Sequence, residues 1–427
     1  MKLYIYFENQ KVGTLTRNED LVYSFSYEDS WRSSKNSFPL SLAMPLEQSE
    51  FQNKVTLSFF ENLLPEGDLR KTLENDHHIK GTFEFLEHFG QDCAGAFVIT
   101  KDDAFATSMA DSSELVEVPL ETIDNAITNR KSVADVIAAM DPGYLSLAGA
   151  QDKFPAVYKD GRFYLPKHGA PTTHIVKTPI LREGIKESVY NEYFCMQLAH
   201  AIGFNVPPCE IRPGLHPLYI IERYDRIKTK NKSKNKDEVS RIHQQDFCQA
   251  QGLPSEFKYE AKGGPSIQKN YELILKSVSA KQRLPNIESF LDWIFFNLLI
   301  GNNDSHSKNI SLLYKNGKNE LAPFYDLVCT AIYSTLKKDF AFVIGDRTDF
   351  SQIGINQFTL LETQLQIKPG SLHTRMNSLI AKLQAQKESV AKRVVSQFPE
   401  AKIVERISDL IERRIKGLRQ QGMAEKK

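Results

Sequence analysis

Gly301-Asn302-Asn303-Asp304-Ser305-His306-Ser307-Lys308-Asn309, followed by Phe324-Tyr325-Asp326, decides how this chain is read. Asp304 and Asn309 have the Asp-x-x-x-x-Asn spacing of a phosphotransferase catalytic loop, where the aspartate orients a hydroxyl and the asparagine holds Mg2+. Asp326 follows one short hairpin later, where a second carboxylate is needed for the metal. Three oxygen donors at that spacing suit a hard cation that keeps several waters and binds mainly through nucleotide phosphates. The pattern points to phosphoryl transfer from ATP, with Asp304 as the catalytic residue and Asn309 and Asp326 as metal ligands. Taken singly, Asp304 fits a turn and Asn309 a helix cap. All three together, behind an apolar helix, fit catalysis better.

Working outward, residues 290–300 are densely apolar and predict a helix that anchors the loop to the core. Leu372, Met376, Leu379, Ile380 and Leu383 form a helical stripe, as do Ile403, Ile407, Leu410, Ile411, Ile415 and Leu418. Upstream the chain is strand-rich. Residues 154–158 and 162–165 flank Lys159-Asp160-Gly161, a hairpin turn whose Asp-Gly supplies positive φ. Further strands are expected at 174–177 and 218–224, with a helix at 187–202 between them. The first hundred residues alternate short aromatic and β-branched runs (3–7, 12–15, 21–25), which predicts a meander, then a helix carrying Leu57, Phe60, Leu63 and Leu64. Residues 101–113 read as a linker and the lysine- and asparagine-rich run 228–236 as a solvated loop. The expected division is 1–105, 106–226 and 227–427. The fold class is α+β, a bilobal protein-kinase-like fold with a strand-rich N-terminal lobe, a large helical C-terminal lobe and the nucleotide in the cleft.

Lys177 lies inside a short apolar strand, where phosphoryl transfer needs a lysine on the α- and β-phosphates. Glu192 on the next helix is its expected ion-pair partner. Alone, Lys177 reads rather as a snorkelling side chain; with the rest of the constellation the phosphate role is favoured. Ser146-Leu147-Ala148-Gly149-Ala150-Gln151-Asp152-Lys153 could cover phosphates through backbone N–H groups, or be an ordinary turn. The backbone of Glu222, Arg223 and Tyr224 could meet the adenine edge, or simply end a buried strand. His306 reads as structural support, and Lys308 as a phosphate contact or the partner of a carboxylate. His77-His78 reads as surface, and Arg413, Arg414, Lys416 and Arg419 as a solvated helix face.

The 427 residues carry 54 basic and 53 acidic side chains, so net charge advertises neither DNA nor an anionic membrane. Five scattered cysteines suit reduced, buried thiols. Residues 1–8 read as a strand rather than a secretory signal, and no stretch approaches a membrane span. A cytoplasmic location is expected.

The chain also resembles the HipA-type serine/threonine kinase toxins of bacterial toxin–antitoxin systems. The resemblance is carried by 9–15, 38–42 and 60–65, which are similar to an N-terminal subdomain of that family. Further on it is carried by 146–153, 172–177, Asn191-Glu192-Tyr193, 222–226, 245–249, Lys258-Tyr259-Glu260, 301–309 and Tyr325-Asp326. It implies ATP contacts from Ala148, Gly149, Ala150, Gln151, Asp152, Lys153, Lys177, Glu222, Arg223, Tyr224, His306, Ser307, Lys308, Asn309, Tyr325 and Asp326. Ser146 matches the serine that members autophosphorylate, where added negative charge would repel ATP's phosphates and switch the kinase off. The resemblance further implies a HipB-like DNA-binding antitoxin, contact with DNA only through that complex, and a translation component such as an aminoacyl-tRNA synthetase as substrate. Two alternatives stand beside it. One is a small-molecule phosphotransferase of the aminoglycoside or choline kinase sort; the other is a non-catalytic antitoxin-binding co-repressor.

Overall fold

The computed structural model describes residues 1–105, 114–140, 148–149, 151–167, 169–231 and 236–423. Two units interleave along the chain. The first comprises Met1–Thr178, Arg212–Ser255 and Ser311–Ala322; the second comprises Pro179–Ile211, Glu256–Ile310 and Pro323–Lys427.

The first unit opens with the expected meander. Strands β1 (Lys2–Phe7), β2 (Gln10–Arg17), β3 (Tyr23–Tyr27), β4 (Glu50–Gln52) and β5 (Val98–Thr100) form an antiparallel sheet in the order β4-β3-β2-β1-β5. Alternation places Leu3 and Ile5 in one core with Leu15, Phe25 and Phe59 and Phe60 of the helix Asn53–Phe60, and a bulge at Val12 turns that side chain into the same core. Phe83, Phe85 and Phe89 of the helix Gly81–Phe89 complete it. β2 passes so close to β3 that a Cβ on Gly13 would lie 2.5 Å from the Phe25 ring, so only glycine fits there.

A second antiparallel sheet carries the expected hairpin. It contains β6 (Leu115–Val118), β7 (Lys153–Lys159), β8 (Arg162–Pro166), β9 (His174–Lys177) and the strand Leu218–Glu222. These run in the order 218–222, β9, β7, β8, β6. Lys159 pairs with Arg162, while Asp160 and Gly161 take φ of +53° and +75°, the left-handed pair that a two-residue hairpin requires. Ile123, Ile127, Val133 and Ile137 of the adjoining helices cover Phe154, Phe163, Val176 and Ile220 of this sheet.

At both of its described ends the run 228–236 departs from the expected loop. Arg226–Asn231 and Lys236–Arg241 pair as an antiparallel ribbon, with Ile227 opposite Ser240 and Lys228 opposite Val239. A ribbon wet on both faces accepts charged residues that hydropathy alone would assign to a loop. Likewise His77 is half-buried and its Nε2 lies 3.0 Å from Asp135, a partner 58 positions away, where a surface residue was expected.

The second unit is helical: Ser188–Ala201, Ile267–Ser277, Ala280–Ile300, Ile355–Leu365, Ser371–Gln397 and Ile403–Gln420 are its main helices. Both predicted terminal stripes are buried along their length. The helix Ala280–Ile300 is buried on every side over its last two turns, with Trp293, Ile294, Phe295 and Phe296 excluded from solvent. It stops at Gly301, whose φ of +77° provides the left-handed C-terminal residue. Arg414 donates to the Leu298 carbonyl and lies 4.3 Å over the Phe350 ring. It is therefore buried rather than part of a solvated face, because the free carbonyls at a helix C-terminus attract a cation. No helix among the described residues is long and apolar enough to cross a membrane. Four of the five cysteines are buried.

Candidate active site

Asn302, the second residue beyond the apolar helix, organises the loop of the second unit. Its N–H donates to the Asn297 carbonyl at 2.9 Å, and its side-chain amide donates to Asn297 Oδ1 at 2.8 Å. The same amide reaches the Asp326 carbonyl at 3.0 Å, and Asn302 Oδ1 accepts the Asp304 N–H at 3.2 Å. One buried side chain thus holds the backbones of both expected acidic residues to the helix end. Asp326 has φ of +54°, a left-handed conformation that aspartate tolerates better than most residues. Asn309 donates its amide to the Asp304 carbonyl at 3.4 Å, so its oxygen is the atom suited to a cation. Tyr325 donates to the Lys308 carbonyl at 2.8 Å, joining the two segments once more.

Asp304 is exposed, while Ser305, His306, Ser307 and Lys308 around it are buried. The His306 N–H donates to the Asp304 carbonyl, and Ser307 accepts from Asn270 at 3.0 Å. Asn303 fastens the loop to a later segment by donating to the carbonyls of Lys337 and Lys338 at 3.2 and 2.9 Å. Tyr259 was quoted in the sequence without a role; its hydroxyl donates to Asp304 Oδ1 at 2.5 Å. Asn191, which is wholly buried, exchanges two bonds with the Cys329 backbone and so ties the helix Ser188–Ala201 to the chain beyond Asp326. Glu192, its neighbour, is buried on that helix.

In the first unit, Lys153 and Lys177 are direct cross-strand partners of β7 and β9, and Tyr219 is the partner of Lys177 on the far side. Residues in register share a face, so the two lysines project from the same side of the sheet, each under a tenth exposed. Lys177 Nζ lies 5.9 Å over the Tyr219 ring. A Cβ on Gly149 would come within 2.7 Å of Lys153 Nζ, so that ammonium packs directly on glycine backbone.

Other expected contacts serve the fold. The Asp152 carboxylate accepts the N–H groups of Val133 and Ala134 at 2.8 and 3.0 Å and so caps the helix Val133–Met140. Gln151 donates to the Thr178 carbonyl. Arg223 spends its N–H on the Thr173 carbonyl and its guanidinium on Asp92 and Asp225. Glu222 pairs with Lys228 at 3.3 Å, and Tyr224 donates to Gln244. Ala148 is half-buried, whereas Ser146 and Ala150 lie outside the described residues.

Asn302→Ala is expected to slow phosphate transfer by about 10²-fold, the cost of displacing reacting groups by about 1 Å. The loss of stability should be about 1–3 kcal/mol, that of a buried polar group left unmatched. Initial rates alongside a thermal melt separate the two effects.

The HipA-like C-terminal domain model matches residues 145–398 and the HipA N-terminal domain model residues 3–100. The chain belongs to the HipA family. Y4mE of Sinorhizobium fredii is 33% identical over 382 residues, 88% of this chain and 89% of that protein. The serine/threonine-protein kinase toxin HipA of Shewanella oneidensis is 31% identical over 343 residues, 78% of this chain and 76% of the toxin. A structure of the Shewanella oneidensis MR-1 HipA, HipB and operator DNA complex matches with TM-score 0.83 at 24% identity, over 98% of this chain and 97% of that one. The α+β fold is therefore that of HipA, with its kinase-like arrangement of strands and helices.

Proposed function

We propose that this HipA-family chain is an ATP- and Mg2+-dependent serine/threonine protein kinase acting as a toxin. The observation that carries the reading is Asn302, whose one side chain holds the backbones of both Asp304 and Asp326. Such positioning is what phosphoryl transfer asks of a protein, since the chemistry needs little beyond alignment and charge stabilisation. Asn309 and Asp326 offer two oxygen ligands, the right type for Mg2+, with the remaining positions left to phosphate and water. Bound Mg2+ would neutralise charge on the transferring phosphate. Asp304 orients the acceptor hydroxyl and takes its proton. Lys177 and Lys153 hold nucleotide phosphates, and Gly149 lets backbone approach them closely.

Ser146 is the proposed autophosphorylation site, and its phosphate would exclude ATP by repulsion. A HipB-like antitoxin is the proposed partner, because the structural relative is seen with HipB and operator DNA. Contact with DNA then comes through the complex, in keeping with 54 basic against 53 acidic residues. A translation component such as an aminoacyl-tRNA synthetase is the proposed substrate class.

Intact mass after incubation with Mg-ATP tests this reading. Wild type is expected to gain one phosphate, and Ser146→Ala and Asp304→Asn none. A wild type that binds ATP but stays unmodified and phosphorylates no protein would favour the small-molecule or non-catalytic alternative.

A further inference from the structure

Tyr259 does more than touch Asp304. Its ring stands edge-on to His306, with centroids 5.0 Å apart at 84°. The ammonium groups of Lys258, Lys262 and Lys337 lie 5.5, 5.9 and 5.6 Å from the ring centroid. Lys262 and Lys337 are exposed, and neither forms an ion pair among the described residues. The carboxylates nearby are committed elsewhere: Asp304 to the Tyr259 hydroxyl, and Glu260 to the Val343 N–H at 2.8 Å. Lys338 turns away and donates to the carbonyls of Ala331 and Tyr333.

Both lysine-bearing segments are held in place. Asn303 of the catalytic loop grips the carbonyls of Lys337 and Lys338. The turn bearing Lys262 closes through N–H groups of Lys262 and Gly264 on the Tyr259 carbonyl, both at 3.0 Å. A Cβ on Gly264 would fall 2.0 Å from the Phe257 carbonyl oxygen, so that turn has one shape. The backbone positions that bear these lysines are thus fixed relative to Asp304.

We propose that Tyr259, Lys262 and Lys337 form an acceptor shelf that selects a serine or threonine in an acidic protein segment. The selected segment carries an aspartate, glutamate or phosphorylated side chain near the acceptor. This rests on the kinase reading above. An acceptor hydroxyl on Asp304 must lie beside the Tyr259 phenol. An extended peptide advances about 3.3 Å per residue, so ammonium groups flanking that ring meet side chains roughly one to three positions away. Cations over an aromatic face, exposed and otherwise uncommitted, offer such side chains charge at little desolvation cost.

The test is phosphorylation of a serine peptide library by the full chain and by a Lys262→Glu/Lys337→Glu variant, with Mg-ATP binding measured on both. Wild type is expected to enrich Asp, Glu or phosphoserine within three positions of the acceptor. For matched peptides the acidic one should have a KM lower by about 10-fold at similar kcat, the mark of binding away from the reacting atoms. The variant should bind Mg-ATP as wild type does and prefer Lys or Arg instead. Aspartate-bearing against phosphoserine-bearing peptides shows which anion is read. Phosphorylation without charge preference, or the same preference in both proteins, overturns the shelf and leaves the kinase reading intact. A wild type that binds Mg-ATP but phosphorylates no peptide or protein overturns both.

Discussion

Asp304→Asn is expected to lower the rate of phosphate transfer by about 10²–10⁴-fold while ATP affinity stays within about threefold. The carboxylate is exposed at the tip of a loop whose neighbours are buried, and its N–H is held by Asn302 at 3.2 Å. A carboxylate accepts hydrogen bonds only and can take a proton; an amide of the same shape cannot. The substitution therefore removes the base without changing the loop. ATP should be little affected because the residues proposed for its phosphates are Lys153 and Lys177, and those proposed for its metal Asn309 and Asp326. Initial rates on a protein acceptor, with nucleotide titration on the same samples, measure both quantities. A variant retaining rate within about threefold of wild type would show that the hydroxyl is activated by another group.

Asp92→Asn should destabilise the first unit by about 3–5 kcal/mol, the cost of breaking a buried ion pair on one side only. Asp92 is fully buried and meets Arg223 at 3.0 Å, Arg226 at 2.8 Å and Arg241 at 3.2 Å; Asp225 meets Arg223 and Arg226, each at 2.9 Å. Three guanidiniums thus face two carboxylates, so losing one carboxylate leaves an excess of two positive charges. Arg241→Met makes the count even and should cost less, although it abandons the Gly169 carbonyl that Arg241 holds at 2.7 Å. Denaturant midpoints of both variants check the order.

The pH dependence has a definite sign. Against the upward push of burial, the arginines hold the Asp92 carboxyl well below the ordinary value of 3.8 and the Asp225 carboxyl below it. Their contribution is complete above that value. It is lost as pH falls from there towards the depressed native values, since the unfolded chain takes up protons that the native state refuses. Wild type should therefore lose stability below about pH 4 more steeply than Asp92→Asn.

Local chemistry was readable from the residues alone. The Asp160-Gly161 turn needs two left-handed residues in succession, and those residue types announce it wherever they occur. The terminal helices carry their apolar stripes in their own spacing. The catalytic loop is equally local, because Asp304, Asn309 and the apolar run before them share one short stretch. The strands 226–231 and 236–241 leave no alternation to detect, since Ile227, Lys228 and Thr229 are exposed in succession.

Partners distant in sequence were a different matter. Asp152 reads as one more polar residue of a phosphate loop until the helix Val133–Met140 sets two N–H groups on it. Arg414 sits in a basic helical run until the end of another helix offers it the Leu298 carbonyl. The pairing of Lys153 with Lys177 depends on strand register, which a one-residue slip would reverse. Residue types and short spacings therefore determined the family of the chain and the strand and helix periods, and they name the residues proposed for catalysis. Register, burial and through-space hydrogen bonds decided which charges act together, because those depend on distances that sequence separation does not encode.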